Sequence, residues 1–143
     1  MGMTAKSATV AYVAALVTIL VLDIIWLKAV MGPFIKAEAG ELIRDQPQLL
    51  PSAIFYLLFV AGLVVFVIQP AVQVTSVGKA AVLGAFFGAI AYGTFDLTNL
   101  ATLRHWPLKV ALLDIAWGTL VSAVASATAT WVALRGVASG PSA

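Results

Sequence analysis

Four apolar stretches, Ala8–Val30, Leu50–Ile68, Ala80–Leu103 and Leu108–Leu134, take up most of the chain and limit what it can become. A helix needs about 20 mostly apolar residues to cross the hydrocarbon core of a bilayer, and each stretch is of that order. Inside lipid every backbone N–H and C=O must be satisfied within the protein, which leaves helices or closed barrels. Continuous apolar runs of this length, without strict alternation, read as helices. The expected fold is therefore all-α: a four-helix transmembrane bundle forming a single integral membrane domain over residues 1–143, with the bilayer as its solvent.

Composition agrees. Of the 143 residues 62% are hydrophobic and 10% charged, whereas a soluble domain of this size needs roughly a quarter of its residues charged to stay wet. With no cysteine there is no disulfide framework, thiolate nucleophile or thiolate metal site, and the single histidine, His105, leaves no His-rich metal centre. A formal net charge of +2 is too small and too scattered for a nucleic-acid footprint. A signal peptide is not expected, because the first apolar run outlasts a short h-region and lacks a small-residue cleavage pattern.

Proline and glycine punctuate the runs. Gly32-Pro33 is expected to end the first span and Gln69-Pro70 the second, while Trp106-Pro107 divides the third from the fourth. Pro51 sits where a first helical turn tolerates proline. Between the first two spans, "MGPFIKAEAGELIRDQPQL" (Met31–Leu49) spaces Phe34, Ile35, Leu42 and Ile43 almost helically among charges. That pattern predicts a short amphipathic helix lying at the membrane interface, with Gly40 as its weak point. The loops after spans one and three carry Lys28, Lys36, Arg44, Arg104 and Lys109, against Lys6, Lys79 and Arg135 on the terminal side. The count leans toward cytoplasmic loops, but acids dilute it and orientation stays open.

Three aspartates stand inside these spans. At 1.5 Å of rise per residue, Asp23 and Asp96 lie roughly 10 Å from the ends of spans one and three, and Asp114 and Tyr56 roughly 9 Å from the starts of spans four and two. All four depths are measured from one side, so four helices bring polar groups to one layer. Tyr92, Asp96 and Asn99 share a face of the third span. Trp26 and Trp117 each follow an aspartate by three residues, in "LDIIW" and "LDIAW". Tyr12 lies three turns before Asp23 on the same stripe. Toward the terminal side, Gly84 and Gly88, and Ser122 and Ser126, have the four-residue spacing that lets helix backbones approach closely. They predict a tight contact between spans three and four, or alternatively a homodimer face.

An aspartate at the centre of a span costs roughly 2.5–3.5 kcal/mol on insertion scales. One reading neutralises the three with the snorkelling cations Lys28, Arg104 and Lys109. The other uses Asp23, Asp96 and Asp114, with Asn99, Tyr56, Tyr92, Trp26 and Trp117, as a ligand-binding or proton-relay cluster. Such a cluster suits a small cationic or amine ligand, and Asp96 is its expected ligand contact. Trp106 and Trp131, near span ends, read as interfacial belt residues. No Ser or Cys sits beside a base and no cofactor motif is visible. Although three aspartates could hold Mg²⁺ for phosphoryl-type chemistry, no lipid-phosphate signature accompanies them, so an enzyme is disfavoured. Two functions follow: binding or transport of a small or cationic solute, proton-coupled in one form, or a non-catalytic accessory or scaffold subunit whose aspartates are structurally ion-paired.

The stretches "IFYLLFVAGLVVFVIQPA" (Ile54–Ala71), "YGTFDLTNLATLRHW" (Tyr92–Trp106) and "DIAWG" (Asp114–Gly118), with "LDIIWL" upstream, resemble an uncharacterised family of small four-span bacterial membrane proteins, a domain of unknown function. The resemblance covers nearly the whole chain and implies a multi-pass protein of the bacterial inner membrane. It implies no activity, substrate or catalytic residue. The small multidrug exporters share only the size, the four spans and an acid in the first span.

Overall fold

A computed structural model describes residues 2–138, and all regular structure among them is helical. Its elements are α1 (Ala5–Trp26), α2 (Gly32–Ala39), α3 (Leu49–Leu63), α4 (Gln69–Gln73), α5 (Val77–Thr102) and α6 (Leu108–Ala138). They join into four helices long and apolar enough to cross a membrane: Ala5–Leu42, Leu49–Gln73, Val77–Thr102 and Leu108–Gly136. Side-chain oxygens start two of them, Thr4 accepting from the Ser7 N–H and Ser76 from the Lys79 N–H, each at 3.1 Å.

Two expected breaks are not breaks. A wide π turn, Leu27–Met31, carries α1 into α2, and a second, Val64–Ile68, carries α3 into α4. In both, the residue before the proline (Gly32, Gln69) reaches back five residues, to the carbonyls of Leu27 and Val64. A proline ring inside an α-helix collides with the carbonyl four residues earlier and removes a hydrogen bond. Widening the turn ahead of Pro33 and Pro70 relieves both problems, so the helices go on.

The expected interfacial helix is accordingly a continuation of the first span. Its regular part ends at Ala39, and a single 3₁₀ turn, Gly40–Leu42, closes it. The 38 residues of the combined helix measure about 57 Å, well beyond a hydrocarbon core of about 30 Å, so it does not fit within that core, and its charged C-terminal turns are the ones suited to the outside. There Lys36 and Glu38 are exposed while Met31 and Ala39 are buried, and α2 touches α6.

The closest helix pair is α5 with α6, followed by α1 with α6. Small residues make this possible. A Cβ on Gly84 would come within 2.7 Å of the Ser122 carbonyl oxygen and 2.6 Å of Ser126 Oγ, and one on Gly88 would collide with the Gly118 carbonyl and Ser122. The Gly84/Gly88 and Ser122/Ser126 faces thus fill each other within one chain. On α1, Ala11, Ala15 and Ile19 recur every fourth residue and pack with Val121, Ala125 and Ala129 of α6. Val13, Val17 and Val21 point outward, each more than half exposed, as lipid-facing positions do.

By contrast α3 stands off. Its C-terminal half joins the core through Val60 and Leu63, and Gly62 admits the Phe87 ring. Toward its N-terminus rings bridge to α5, Phe55 and Phe59 meeting Tyr92 at centroid distances of 6.5 and 6.1 Å. The space left there is where the polar layer sits.

Candidate functional site: an aromatic cavity above paired aspartates

Asp23 continues the inward stripe of Ala11, Ala15 and Ile19 by one more turn and is 5% exposed. Both its oxygens are taken. The Tyr56 hydroxyl donates to Oδ2 at 2.6 Å, and the Trp117 indole N–H donates to Oδ1 at 2.7 Å. These lengths fall in the range of charge-assisted hydrogen bonds. One carboxylate therefore clips α1 to α3 and α6. The spacing that put Trp26 and Trp117 after the two aspartates has a geometric result as well: their rings stack at 4.4 Å with 2° between planes.

Asp96 is fully buried on α5. Its Oδ1 accepts from the Trp106 indole N–H at 3.2 Å, while Oδ2 meets no donor. Asp114, on α6, lies beside Asp96, the two carboxyls close enough to act on each other. The three aspartates thus share a layer but not a cage: Asp23 is held by its own donors, and Asp96 and Asp114 form a pair. Among the described residues no group of three acidic, histidine or cysteine side chains could hold a metal ion.

A cavity of about 580 Å³ opens beside this layer. The stacked Trp26 and Trp117, with Phe55, Tyr92 and Phe95, supply its aromatic wall, and Asp23 and Asp114 its carboxyls. Asp23 is nearly buried and already accepts from two donors, whereas Asp114 accepts from none among the described residues, so Asp114 is the carboxyl better placed for a ligand. Asp96 is not in the wall and stands behind Asp114. At the foot of the cavity the Tyr92 ring lies on Gly118, where any Cβ would strike it; the glycine after "DIAW" is what seats that ring. Two buried polar atoms of the cluster, Asp96 Oδ2 and Trp26 Nε1, have no partner among the described residues. Buried polar atoms are rarely left so.

The expected residues therefore divide. Tyr56, Asp23 and Trp117 come together in one hydrogen-bonded unit, and Asp96 and Asp114 lie beside each other. Tyr92 and Trp26 line the cavity between, but Asn99 does not. Tyr12 bonds elsewhere, its hydroxyl donating to the Leu57 carbonyl at 3.0 Å. The cations proposed as neutralisers, Lys28, Arg104 and Lys109, are exposed, and among the described residues none bridges to these aspartates. Trp106, read from the sequence as a belt residue, also donates its indole N–H to Asp96. The loop from Leu103 to Pro107 is short enough to return it under two turns of helix to Asp96, and that proximity was the available signal. Trp131 stays near its span end, its ring covered by the Arg135 guanidinium at 3.9 Å.

No curated protein and no solved structure matches the chain. Residues 8–131 match the family described as "Predicted membrane protein (DUF2177)". With that match covering most of its length, and with four helices able to cross a membrane, the chain belongs to this family of multi-pass membrane proteins of unknown function.

Proposed function

We propose that this protein of the bacterial inner membrane binds a small cationic or amine solute in the aromatic cavity and exchanges a proton for it. The observation that carries the reading is Asp114: a carboxyl in the wall of a mostly apolar cavity whose close neighbour is a second carboxyl rather than a cation. A proton held between Asp114 and Asp96 keeps the pair at a single negative charge. An arriving ammonium does the same work, so the proton can leave as the solute enters. The aromatic faces of the wall suit a cation, and Trp106 steadies the rear carboxyl of Asp96. Asp23 serves the site by position, holding α1, α3 and α6 together around it. Alternation of such a site between the two sides of the membrane would make the protein a proton-coupled carrier.

The test is thermal unfolding of the detergent-purified protein against a panel of amines and inorganic cations at several pH values, beside Asp114→Asn. A ligand that stabilises the wild type, less so as the pH falls and not at all in the variant, supports the reading. Equal stabilisation of both proteins would sink it. The two inter-helix donors on Asp23 favour a second reading, an accessory or scaffold subunit whose acids only join helices; it expects no ligand response and co-purification with a larger complex.

A further inference from the structure

The rim of the cavity indicates how a ligand reaches it. Leu27, Phe55 and Phe95 line it, and they are 49%, 43% and 54% exposed. All three belong to helices apolar enough to span a membrane, so that exposure faces acyl chains at the depth of the aspartates. No Lys, Arg or Glu is among the lining residues. Ser52, at the start of α3, already uses its hydroxyl to donate to the Gln48 carbonyl at 2.9 Å. An entrance for a hydrated ion would need polar groups that this rim lacks.

The volume points the same way. About 580 Å³ is the size of a drug-sized ligand's site, far more than a bare ammonium head fills. Waters have partners near the carboxyls, Tyr92 and the Trp26 N–H, but few beside Leu27, Phe55, Ala91 and Phe95, and a buried water needs two to four. The space is suited to hydrocarbon.

We infer that the cavity takes the ammonium head of a long-chain amphiphile, which enters sideways from the bilayer between α1, α3 and α5 and leaves its tail over Leu27, Phe55 and Phe95. This rests on the reading that Asp114 binds an amine, and it names the class of amine: one dissolved in lipid, not in water. The helix at the entrance, α3, packs more sparsely than α1, α5 and α6, its ties to α1 being the Tyr56 and Tyr12 hydrogen bonds. Near the cavity α3 meets α5 through the Phe55 and Phe59 contacts to Tyr92, and rings can turn where packed backbones cannot.

The experiment uses the full chain in lipid nanodiscs and reads tryptophan fluorescence, to which the Trp26–Trp117 stack contributes. Hexadecylamine, hexadecanol at the same mole fraction in the bilayer, and methylamine in the aqueous phase are titrated in turn. The expected result is a saturable change with hexadecylamine at least tenfold tighter than with hexadecanol, and none with millimolar methylamine. Asp114→Asn should lose the response to hexadecylamine. If methylamine alone gives the same saturable change, lateral entry is wrong while amine binding stands. If hexadecanol matches hexadecylamine, the cavity takes tails without regard to charge, and both the inference and the amine reading fall. Absence of a saturable response to all three overturns both as well. The comparison among ligands is made on the unmodified protein, so it holds even if the variant does not fold.

Discussion

Removing the Tyr56 hydroxyl tests whether one carboxylate really clips three helices. In Tyr56→Phe the ring remains and Asp23 Oδ2 loses the donor now 2.6 Å away. A hydrogen bond to a charged group is worth about 1.5–3 kcal/mol in water-soluble proteins, whereas pairs between membrane helices average about 0.6 and reach about 1.7. Asp23 is only 5% exposed, so water does not readily replace the lost donor, and the upper part of the membrane range applies. The expected loss is about 1–2 kcal/mol. Asp23→Ala removes the acceptor of both donors and should cost more, and it is the right partner for the cycle because an asparagine amide could still donate to the Tyr56 hydroxyl oxygen. The assay is a double-mutant cycle on unfolding of the detergent-solubilised protein in increasing SDS. With the bond in place the double variant loses about 1 kcal/mol less than the two single losses together. Additivity within about 0.3–0.5 kcal/mol, the spread of independent sites, would refute the clip.

Other perturbations separate packing from chemistry. Gly88→Ala sets a methyl group against the Gly118 carbonyl and Ser122 and should cost about 1–3 kcal/mol as overpacking does, measured by the same unfolding; a loss below about 0.5 kcal/mol would contradict the close α5–α6 contact. Trp106→Phe keeps a ring to meet Phe95, now edge-on at 5.6 Å, but removes the N–H given to Asp96. It should cost about 0.5–1.5 kcal/mol and weaken any amine response that Asp114 supports. Lys28→Gln, Arg104→Gln and Lys109→Gln, at exposed positions without aspartate bridges, should each change stability by no more than about 0.5 kcal/mol.

Much of the fold was legible because the bilayer leaves a chain so few choices. Spans of about 20 apolar residues announce helices, and Gly84, Gly88, Ser122 and Ser126 announce a close helix contact by spacing alone. What the sequence did not disclose is how proline is accommodated. Gly32-Pro33 and Gln69-Pro70 carry the signals of a helix end, yet a π turn ahead of each lets the helix continue. The sequence carries no separate mark for that turn. Its cost is balanced against neighbouring packing, and Ile68 and Val67 are buried in the core, which holds that second turn in place.

The candidate site was half legible for a related reason. Depth along a helix follows from counting residues, so the common layer of Asp23, Tyr56, Asp96 and Asp114 could be read directly. Direction around the helix, and choice among equally deep partners, could not. Asn99 satisfies the same face rule as Tyr92 yet is absent from the cavity wall. The indoles are the harder case, because tryptophan near a span end satisfies two physical demands at once: an amphipathic ring belongs at the interface, and its N–H can serve a buried acceptor. Trp131 meets the first, beside Arg135, whereas Trp106 and Trp117 meet the second, each giving its N–H to an aspartate. What distinguishes them is whether an acid lies within reach of the ring once the helices are packed. That depends on α6 lying against both α1 and α5, which depends in turn on the small residues along α6. The stripe Gly118, Ser122, Ser126 and Thr130 is an extension of Asp114 at four-residue spacing. The same helix face that brings the backbones together is therefore the one that sets Asp114 against Asp96.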